Sequence, residues 1–500
     1  MRSSLVNARL GSTMSGAARF TEPLVDGALL CIAYFAAGKL GLGLAFQNSS
    51  ATPVWPPSGI ALAAILARGT GFWPVIFLGA FLVNITTAGS TLACLGIAAG
   101  NTLEGVMGAH LVARYAGGRQ AFERVPDVFR FAALAAVAST AVAATIGMTC
   151  LFLDGLVSAP GLGAVWLTWW LGDAVGILVV APPLLLWSTG ASSGWSRARR
   201  FEGLVLLLVV TLVSSVVFDG WFPFRARDYP LEFVCLLPLL WAALRFQPRG
   251  AAAALLVLSG VAIRGTLDGF GPFARLAPHE SLLLLQAFLG AASVTALVLA
   301  ATASERKRYE KQLLYLVEHD PLTGVLSRKR FEAELQHELA MSLRYGTRGA
   351  VLFLDLDDFK AVNDAMGHRA GDELLARLAR LLRGRLRGSD LLARLGGDEF
   401  AILLPLADGS QAQAVAAQLA EAIAHDSVAA PGGPRVTASL GIALYPDHGL
   451  SADELLSHAD SAMYTAKEAG GNRSHSHAGD AASTQSALAR IESGAGRRKA

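Results

Sequence analysis

Leu391-Leu392-Ala393-Arg394-Leu395-Gly396-Gly397-Asp398-Glu399-Phe400-Ala401-Ile402-Leu403-Leu404 decides the fold of the C-terminal part of the chain. Two short apolar runs flank a Gly-Gly pair, which is a hairpin signal. Upstream, Ala350-Val351-Leu352-Phe353-Leu354 is a continuous apolar run of the kind found in a strand buried on both faces. Between the two, Leu374, Leu375, Leu378, Leu381 and Leu382 recur at helical spacing, and Phe331 to Ala340 has the same period. Downstream, Val436 to Tyr445 reads as another strand and Ser451 to Glu468 as another helix. The pattern predicts an α/β sandwich with one sheet.

The acids of this region share its strand ends. Asp355 closes the buried run, with Asp357 and Asp358 just beyond, and Asp398 and Glu399 follow the two glycines. A carboxylate at the end of a central strand, facing acids on a neighbouring hairpin, suits Mg²⁺, which takes one or two carboxylates and completes its shell with phosphate oxygens. Glycines let a triphosphate approach the backbone. Two such ions would polarise an α-phosphate and hold a leaving pyrophosphate. For any one of these acids alone, a solvated hairpin tip is the simpler reading; the combination favours chemistry.

The rest of the chain is of another kind. The 500 residues are 53% hydrophobic and 16% charged, with mean hydropathy +0.45, whereas soluble domains carry about 25% charged residues. The deficit is concentrated between about Leu24 and Leu299. A membrane helix needs roughly 20 apolar residues, and stretches of that character lie at about 24–46, 91–115, 128–153, 163–188, 202–219, 231–246, 250–265 and 281–302. Residues 57–88 hold two shorter ones, so eight to ten helices are expected. Three basic clusters, Arg114 to Arg130, Arg197 to Arg200 and Arg306 to Arg308, fall on one side if the count is even. That places both termini in the cytoplasm; Arg225 and Arg227 then fall on the outer side, against the rule. Arg2, Arg9 and Arg19 imitate a signal peptide, but the first run is too long for one and reads as an uncleaved span. A net charge of +3 does not argue for nucleic acid. Cys31, Cys94, Cys150 and Cys235 all sit in apolar stretches with no metal or redox spacing.

Asn101, Glu104, Asp173 and Glu232 lie deep in apolar context. Each is either functional or a structural hydrogen-bonding group between helices. Val54-Trp55-Pro56-Pro57-Ser58-Gly59-Ile60 breaks a helix at membrane depth, either as part of a ligand pocket or as an interfacial turn anchored by Trp55. Trp55-Pro56-Pro57-Ser58-Gly59, Gly100-Asn101-Thr102-Leu103-Glu104 and Trp169-Trp170-Leu171-Gly172-Asp173, in that order, resemble the MASE-type bacterial membrane sensor domain. The resemblance implies reception, in a bacterial inner membrane, of a signal whose ligand it does not name.

Gly396-Gly397-Asp398-Glu399-Phe400 is similar to the signature of the GGDEF family of diguanylate cyclases. Four further stretches agree in order: Asp320-Pro321-Leu322-Thr323-Gly324; Asp355-Leu356-Asp357-Asp358-Phe359-Lys360 with Asn363-Asp364; Gly367-His368 with Gly371-Asp372; and Lys467 with Gly471-Asn472. The resemblance implies condensation of two GTP into cyclic di-GMP in an active-site-facing homodimer with Mg²⁺, or Mn²⁺ in its place. It implies Mg²⁺ ligation by Asp355, Asp398 and the Leu356 carbonyl, and catalytic roles for Asp398 and Glu399, the latter near the 3′-hydroxyl. Asn363 and Asp372 would meet the guanine edge, Phe359, Lys360 and Lys467 the phosphates, and Gly396 and Gly397 would cradle the nucleotide. Gly471 departs from the arginine common there in the family, with Arg473 a candidate substitute, and Ser327 stands where the family often has Asn. Arg387 and Asp390 resemble the family's RxxD inhibitory product site; the alternative is a charged helix end and turn.

The expected organisation is therefore a polytopic α-helical membrane domain followed by an α/β GGDEF domain. Residues 1–23 form a cytoplasmic segment, 24–302 the sensor, 303–319 a helical connector, 320–474 the cyclase domain and 475–500 a disordered tail. In the connector Leu313, Leu316 and Val317 share one helix face, which suits either a short parallel coiled coil or a helix packed on its own domain. Two other functions compete. A nucleotide receptor without catalysis would show a broken Gly-Gly-acid motif, and a transporter with a regulatory domain would show repeated hydropathy; neither feature is seen.

Overall fold

The computed structural model describes residues 25–44, 52–87, 89–188, 195–220, 230–275, 277–428 and 435–478. The chain forms two compact units, Met1–Arg308 and Tyr309–Ala500.

The first unit is helical. Its helices are α1 (Val25–Gly43), α2 (Pro56–Arg68), α3 (Trp73–Ile85), α4 (Thr91–Tyr115), α5 (Val125–Phe131), α6 (Thr140–Leu153), α7 (Leu162–Ser188), α8 (Arg197–Phe218), α9 (Leu236–Leu267) and α10 (Pro278–Glu318). A π-helical turn, Ala132–Ser139, joins α5 to α6. Among the described residues seven runs are long and apolar enough to cross a membrane, which makes this a multi-pass membrane protein. At 1.5 Å per residue the 13-residue α2 and α3 reach only about 20 Å and fall short of the hydrocarbon thickness. Ile32, Leu92, Leu153, Phe201, Leu204 and Leu237 point outward with 65–79% of their surface exposed, as lipid-facing side chains do. The stretches read separately as 231–246 and 250–265 form α9, whose helical geometry breaks at Gln247 (φ 59°, ψ −156°), just before Pro248. Proline lacks an N–H and disfavours helical geometry in the residue before it.

The three sensor-like motifs converge. Trp55 is buried among the helices. The Trp55 N–H donates to the Gly172 carbonyl at 3.0 Å. Gln286 Nε2 of α10 donates to the carbonyls of Thr52 and Pro53 at 3.2 Å and of Thr168 at 3.1 Å. Non-helical backbone at this depth is thereby satisfied within the protein. A Cβ on Gly59 would run into the Gly176 carbonyl, and one on Gly176 into that of Trp55, so two glycines set the approach of α2 to α7. Ser58 Oγ donates to Asp173 Oδ1 at 3.3 Å; Asn101, Glu104 and Asp173 are all buried.

The second unit is built on a six-stranded sheet in the order β1-β3-β4-β2-β5-β6, where β1 is Leu326–Ser327, β2 Gly349–Asp357, β3 Leu391–Gly396, β4 Glu399–Pro405, β5 Thr437–Tyr445 and β6 Ser474–Ser476. Its helices are α11 (Arg328–Tyr345), α12 (Phe359–Met366), α13 (His368–Arg385), α14 (Gly409–Val428) and α15 (Ala452–Glu468). The central β2 runs antiparallel to both β4 and β5. Its even-numbered residues Leu352, Leu354 and Leu356 share a core with α13 and α14, and its odd-numbered Val351 and Phe353 one with α11 and α15. Burial on both faces accounts for a strand with no polar alternation.

Two short edge strands escape the sequence pattern. β1 pairs in parallel with β3, and β6 in parallel with β5. Residues 475–477, expected as the start of a tail, are held to the sheet instead: His475 and Ser476 belong to β6, and the His477 N–H donates to the Ile442 carbonyl at 2.9 Å. The polar Ser-His-Ser run carries no apolar signal, and what holds it is the free main-chain edge of β5. The remainder of that expected tail, residues 479–500, and the N-terminal segment 1–23 lie outside the described residues. Ser327, the departure near the domain's start, caps α11 by accepting from the Arg330 N–H, a position serine fills well.

Candidate active site

The acids meet because β2 and β4 are paired in a fixed register. Asp355 lies directly opposite Glu399, and on the other side opposite Ser439. Gly397 and Asp398 form the two-residue turn between β3 and β4, with Gly397 at φ 49°, a conformation that strains a side-chain-bearing residue. From α15, Lys467 Nζ donates to Asp355 Oδ1 at 2.5 Å. Burial pushes the Asp355 carboxyl up; Lys467 opposes this, and nearby Asp398 and Asp357 add to it. Burial likewise raises Glu399, with Asp355, Asp460 and Asp398 reinforcing it and Arg328 opposing. Negative charge is thus crowded at one sheet end, with Lys467 against it at Asp355 and Arg328 at Glu399.

Two polar clamps hold this end in shape. Asp357 accepts from Thr437 Oγ1 at 2.6 Å, Ser439 Oγ at 2.8 Å and the Asn472 N–H at 3.0 Å, which ties the closing Gly471-Asn472 segment to β2. Arg394 of β3 reaches the turn and the domain's opening segment together. Its Nε and Nη2 donate to the Gly397 carbonyl at 2.9 and 2.7 Å, and its Nη1 lies 3.3 Å from both oxygens of Asp320. Asp320 in turn accepts from the Thr323 N–H at 2.9 Å and hydroxyl at 2.6 Å. Burial works against its ionisation, but the Thr323 donors and Arg394 prevail and hold the carboxyl below its usual range. Sequence reasoning missed both clamps. Their partners lie tens of residues apart, and no local pattern marks them.

The other candidates fall in place around these elements. Asp358, at φ 58°, turns the chain from β2 into α12, which carries Phe359, Lys360 and Asn363. A Cβ on Gly371 would collide with Asn363 Oδ1 and the Phe359 ring, so α12 and the start of α13 are packed closely, and Asp372 follows at the exposed surface. Lys360 is exposed, whereas Lys467 is engaged by Asp355. Leu356 is buried. Arg473, the candidate phosphate ligand, folds back on the Gly471 carbonyl at 3.1 Å. At the RxxD segment, the buried Asp390 accepts from the Arg387 N–H at 2.8 Å and closes the turn, while the Arg387 side chain stands in solvent.

Among the described residues no three acidic, histidine or cysteine side chains gather into a ready-made metal cage. The donors present are hard carboxylate oxygens on Asp355 and Asp398, with room for phosphate oxygens beside two glycines that have no atoms near their Cβ positions. That set fits Mg²⁺, which is rarely held by protein ligands alone.

Residues 27–307 match the MASE1 family model, and residues 317–473 the one described as diguanylate cyclase, GGDEF domain. A bifunctional diguanylate cyclase/cyclic di-GMP phosphodiesterase, MucR of Pseudomonas aeruginosa, is 32% identical over 327 residues, 64% of this chain and 43% of that protein. Diguanylate cyclase TpbB of the same species is 45% identical over 165 residues, 32% of this chain and 38% of its own length. A solved structure comprising only the GGDEF domain of TpbB is 41% identical, with a TM-score of 0.30; the match covers 32% of this chain and 94% of that one. The chain thus spans about two-fifths of the length of these two curated relatives.

Proposed function

We propose that this chain, which belongs to the MASE1 family and continues into a GGDEF domain, joins two molecules of GTP into cyclic di-GMP and two pyrophosphates under the control of its membrane half. The observation that carries the reading is the Asp355–Glu399 register pair, with Asp398 in the adjoining turn and Lys467 on Asp355.

Each domain takes one GTP. Asn363 and Asp372 receive the guanine edge at the junction of α12 and α13. The triphosphate lies over Gly396 and Gly397, within reach of Lys360. Asp355 and Asp398, with the Leu356 carbonyl, hold Mg²⁺, or Mn²⁺ in its place; when bound, it supplies Lewis-acid polarisation of the phosphates and charge neutralisation for the departing pyrophosphate. Lys467, which donates to Asp355, would balance that carboxylate until the ion and the phosphates arrive. The 3′-oxygen of one GTP forms a bond to the α-phosphorus of the other, and the bond from that phosphorus to pyrophosphate breaks. The proton leaves the 3′-hydroxyl toward Glu399, whose raised affinity for protons suits a base of this kind. Repeating the step in the opposite sense closes the ring.

Both bonds need two domains face to face, so a second copy of the chain completes the site, and catalysis rests on positioning and charge. The exposed Tyr309, Leu313, Leu316 and Val317 near the end of α10 offer the second copy an apolar helix face. The exposed Arg387 guanidinium is a contact for returning product and hence for feedback. The same reading puts the protein in the bacterial cytoplasmic membrane, with both termini on the side that holds GTP.

The test uses the purified full chain in detergent with GTP and Mg²⁺, beside Asp398→Ala and Glu399→Ala, with nucleotides separated by chromatography. Cyclic di-GMP from the parent and not from the variants is the expected result. A parent that dimerises and binds GTP yet forms no product would overturn the proposal in favour of a receptor.

A further inference from the structure

The first unit contains a cavity of about 540 Å³ with Arg119, Arg199, Arg249 and Lys307 in its wall against one carboxylate, Glu123. Three of the arginines donate to main-chain carbonyls. Arg119 Nε donates to the Leu66 carbonyl at 2.9 Å and its Nη2 to that of Ala67; Arg199 Nη2 donates to the Arg245 carbonyl at 2.8 Å, and Arg249 Nε to that of Leu186 at 3.2 Å. A carbonyl orients a guanidinium without cancelling its charge. Of the nearby carboxylates, Glu202 takes three hydrogen bonds of 2.7–3.0 Å from Arg245 and also attracts Arg199, and Glu123 faces Arg308 at 3.7 Å.

Arg199 has a further mark. Its Nε is buried without a hydrogen-bond partner, and its guanidinium lies over the rings of Trp195 and Phe246 at 5.5 and 5.7 Å. The helix break at Gln247 adds an independent feature. The second segment of α9 starts there, so Gln247, Pro248 and Arg249 in the cavity wall are the N-terminal end of a long helix, where backbone N–H groups and the helix dipole favour an anion. A general preference for basic residues on one side of a membrane accounts for the charges being present. It does not account for their arrangement around a cavity that a helix N-terminus enters.

We propose that this cavity binds a phosphate-bearing anion, drawn from an anionic lipid headgroup or from solution, with Arg119, Arg199, Arg249 and Lys307 around the phosphate. Ser304 and Lys307 belong to α10, so occupancy bears on the helix that leads out of the membrane half.

The test is native mass spectrometry of the full chain in detergent with phosphatidylglycerol or phosphatidylcholine, and equilibrium dialysis with radiolabelled inorganic phosphate. The variants are Arg199→Gln/Arg249→Gln and Lys307→Ala, with Arg264→Gln, an exposed arginine outside the cavity wall, as the control. At about 1 kcal/mol per basic side chain near an anionic headgroup, the double variant loses affinity about 30-fold and Lys307→Ala about fivefold. One retained phosphatidylglycerol per chain, weakened in that order, supports the lipid source. Phosphate retained and weakened in that order supports the soluble source; phosphate held by the cyclase domain does not respond to these variants. Lys307 is exposed, so its variant stays informative if the double variant aggregates. A parent that prefers neither ligand over its control, or variants that bind like Arg264→Gln, would overturn the proposal.

Discussion

Replacing Arg394 by alanine should loosen the cyclase domain from a point that touches no substrate. The side chain is 14% exposed and its partner Asp320 18%. It contributes an ion pair at 3.3 Å and two donated hydrogen bonds to Gly397 at 2.7 and 2.9 Å. Hydrogen bonds to charged groups contribute about 1.5–3 kcal/mol each. Counting the ion pair and the shared carbonyl as one such interaction apiece, the lower end gives about 3 kcal/mol. At a slope of about 2 kcal/mol per molar urea, the midpoint falls by about 1.5 M. Pulse proteolysis in urea reads this on the full chain, following the fragment that contains residues 317–473. Arg394→Lys keeps the charge but not the fork that spans Asp320 and Gly397, and should fall between the two. The sign with pH follows from Asp320. Its carboxyl is held below the usual range in the folded state, so its contribution is complete above the unfolded value of about 3.9 and is lost as pH falls through the folded one. The gap between parent and Arg394→Ala therefore narrows in acid. A midpoint shift below about 0.3 M at neutral pH would refute the clamp.

Three further outcomes are expected. Glu399→Gln lowers product formation at least about 10²-fold yet raises the urea midpoint slightly. Removing a carboxyl whose proton affinity is raised on folding relieves charge crowding, and the relief disappears as pH falls below the unfolded carboxylate range; an unchanged or lower midpoint at neutral pH counts against the crowding. Asp357→Asn weakens acceptance from Thr437, Ser439 and Asn472 and costs about 2 kcal/mol, visible in the same urea assay, where a shift within error would remove its anchoring role. Gly371→Ala pushes on Asn363 and Phe359 and raises the KM for GTP about tenfold, with kcat nearly unchanged; an unaltered KM would separate that contact from guanine recognition.

Much of this was legible in sequence, for definite reasons. β2 announced itself because both its faces are buried, and the β3–β4 turn because Gly396 and Gly397 interrupt two apolar runs. The membrane half was legible as a class because lipid excludes charge along whole helices. What stayed hidden is non-local or main-chain in origin. Arg394 meets Asp320 across 74 residues. Asp357 looked like one acid among several until Thr437 and Ser439 arrived from β5. β6 forms on the backbone of its neighbour rather than on its own composition. Within the membrane half, Pro182 and Pro183 leave α7 continuous, whereas Pro248 coincides with a break in α9, a distinction no proline count makes.

The lysine on Asp355 gives the acidic end of the sheet a resident counter-ion. A small zinc domain stripped of its metal loses the charge balance that folds it. Here one positive charge travels with the chain itself, so the carboxylates assemble on folding and wait as a loaded but quiet electrode. A chelator should then silence synthesis while the urea midpoint of the domain stays where it was.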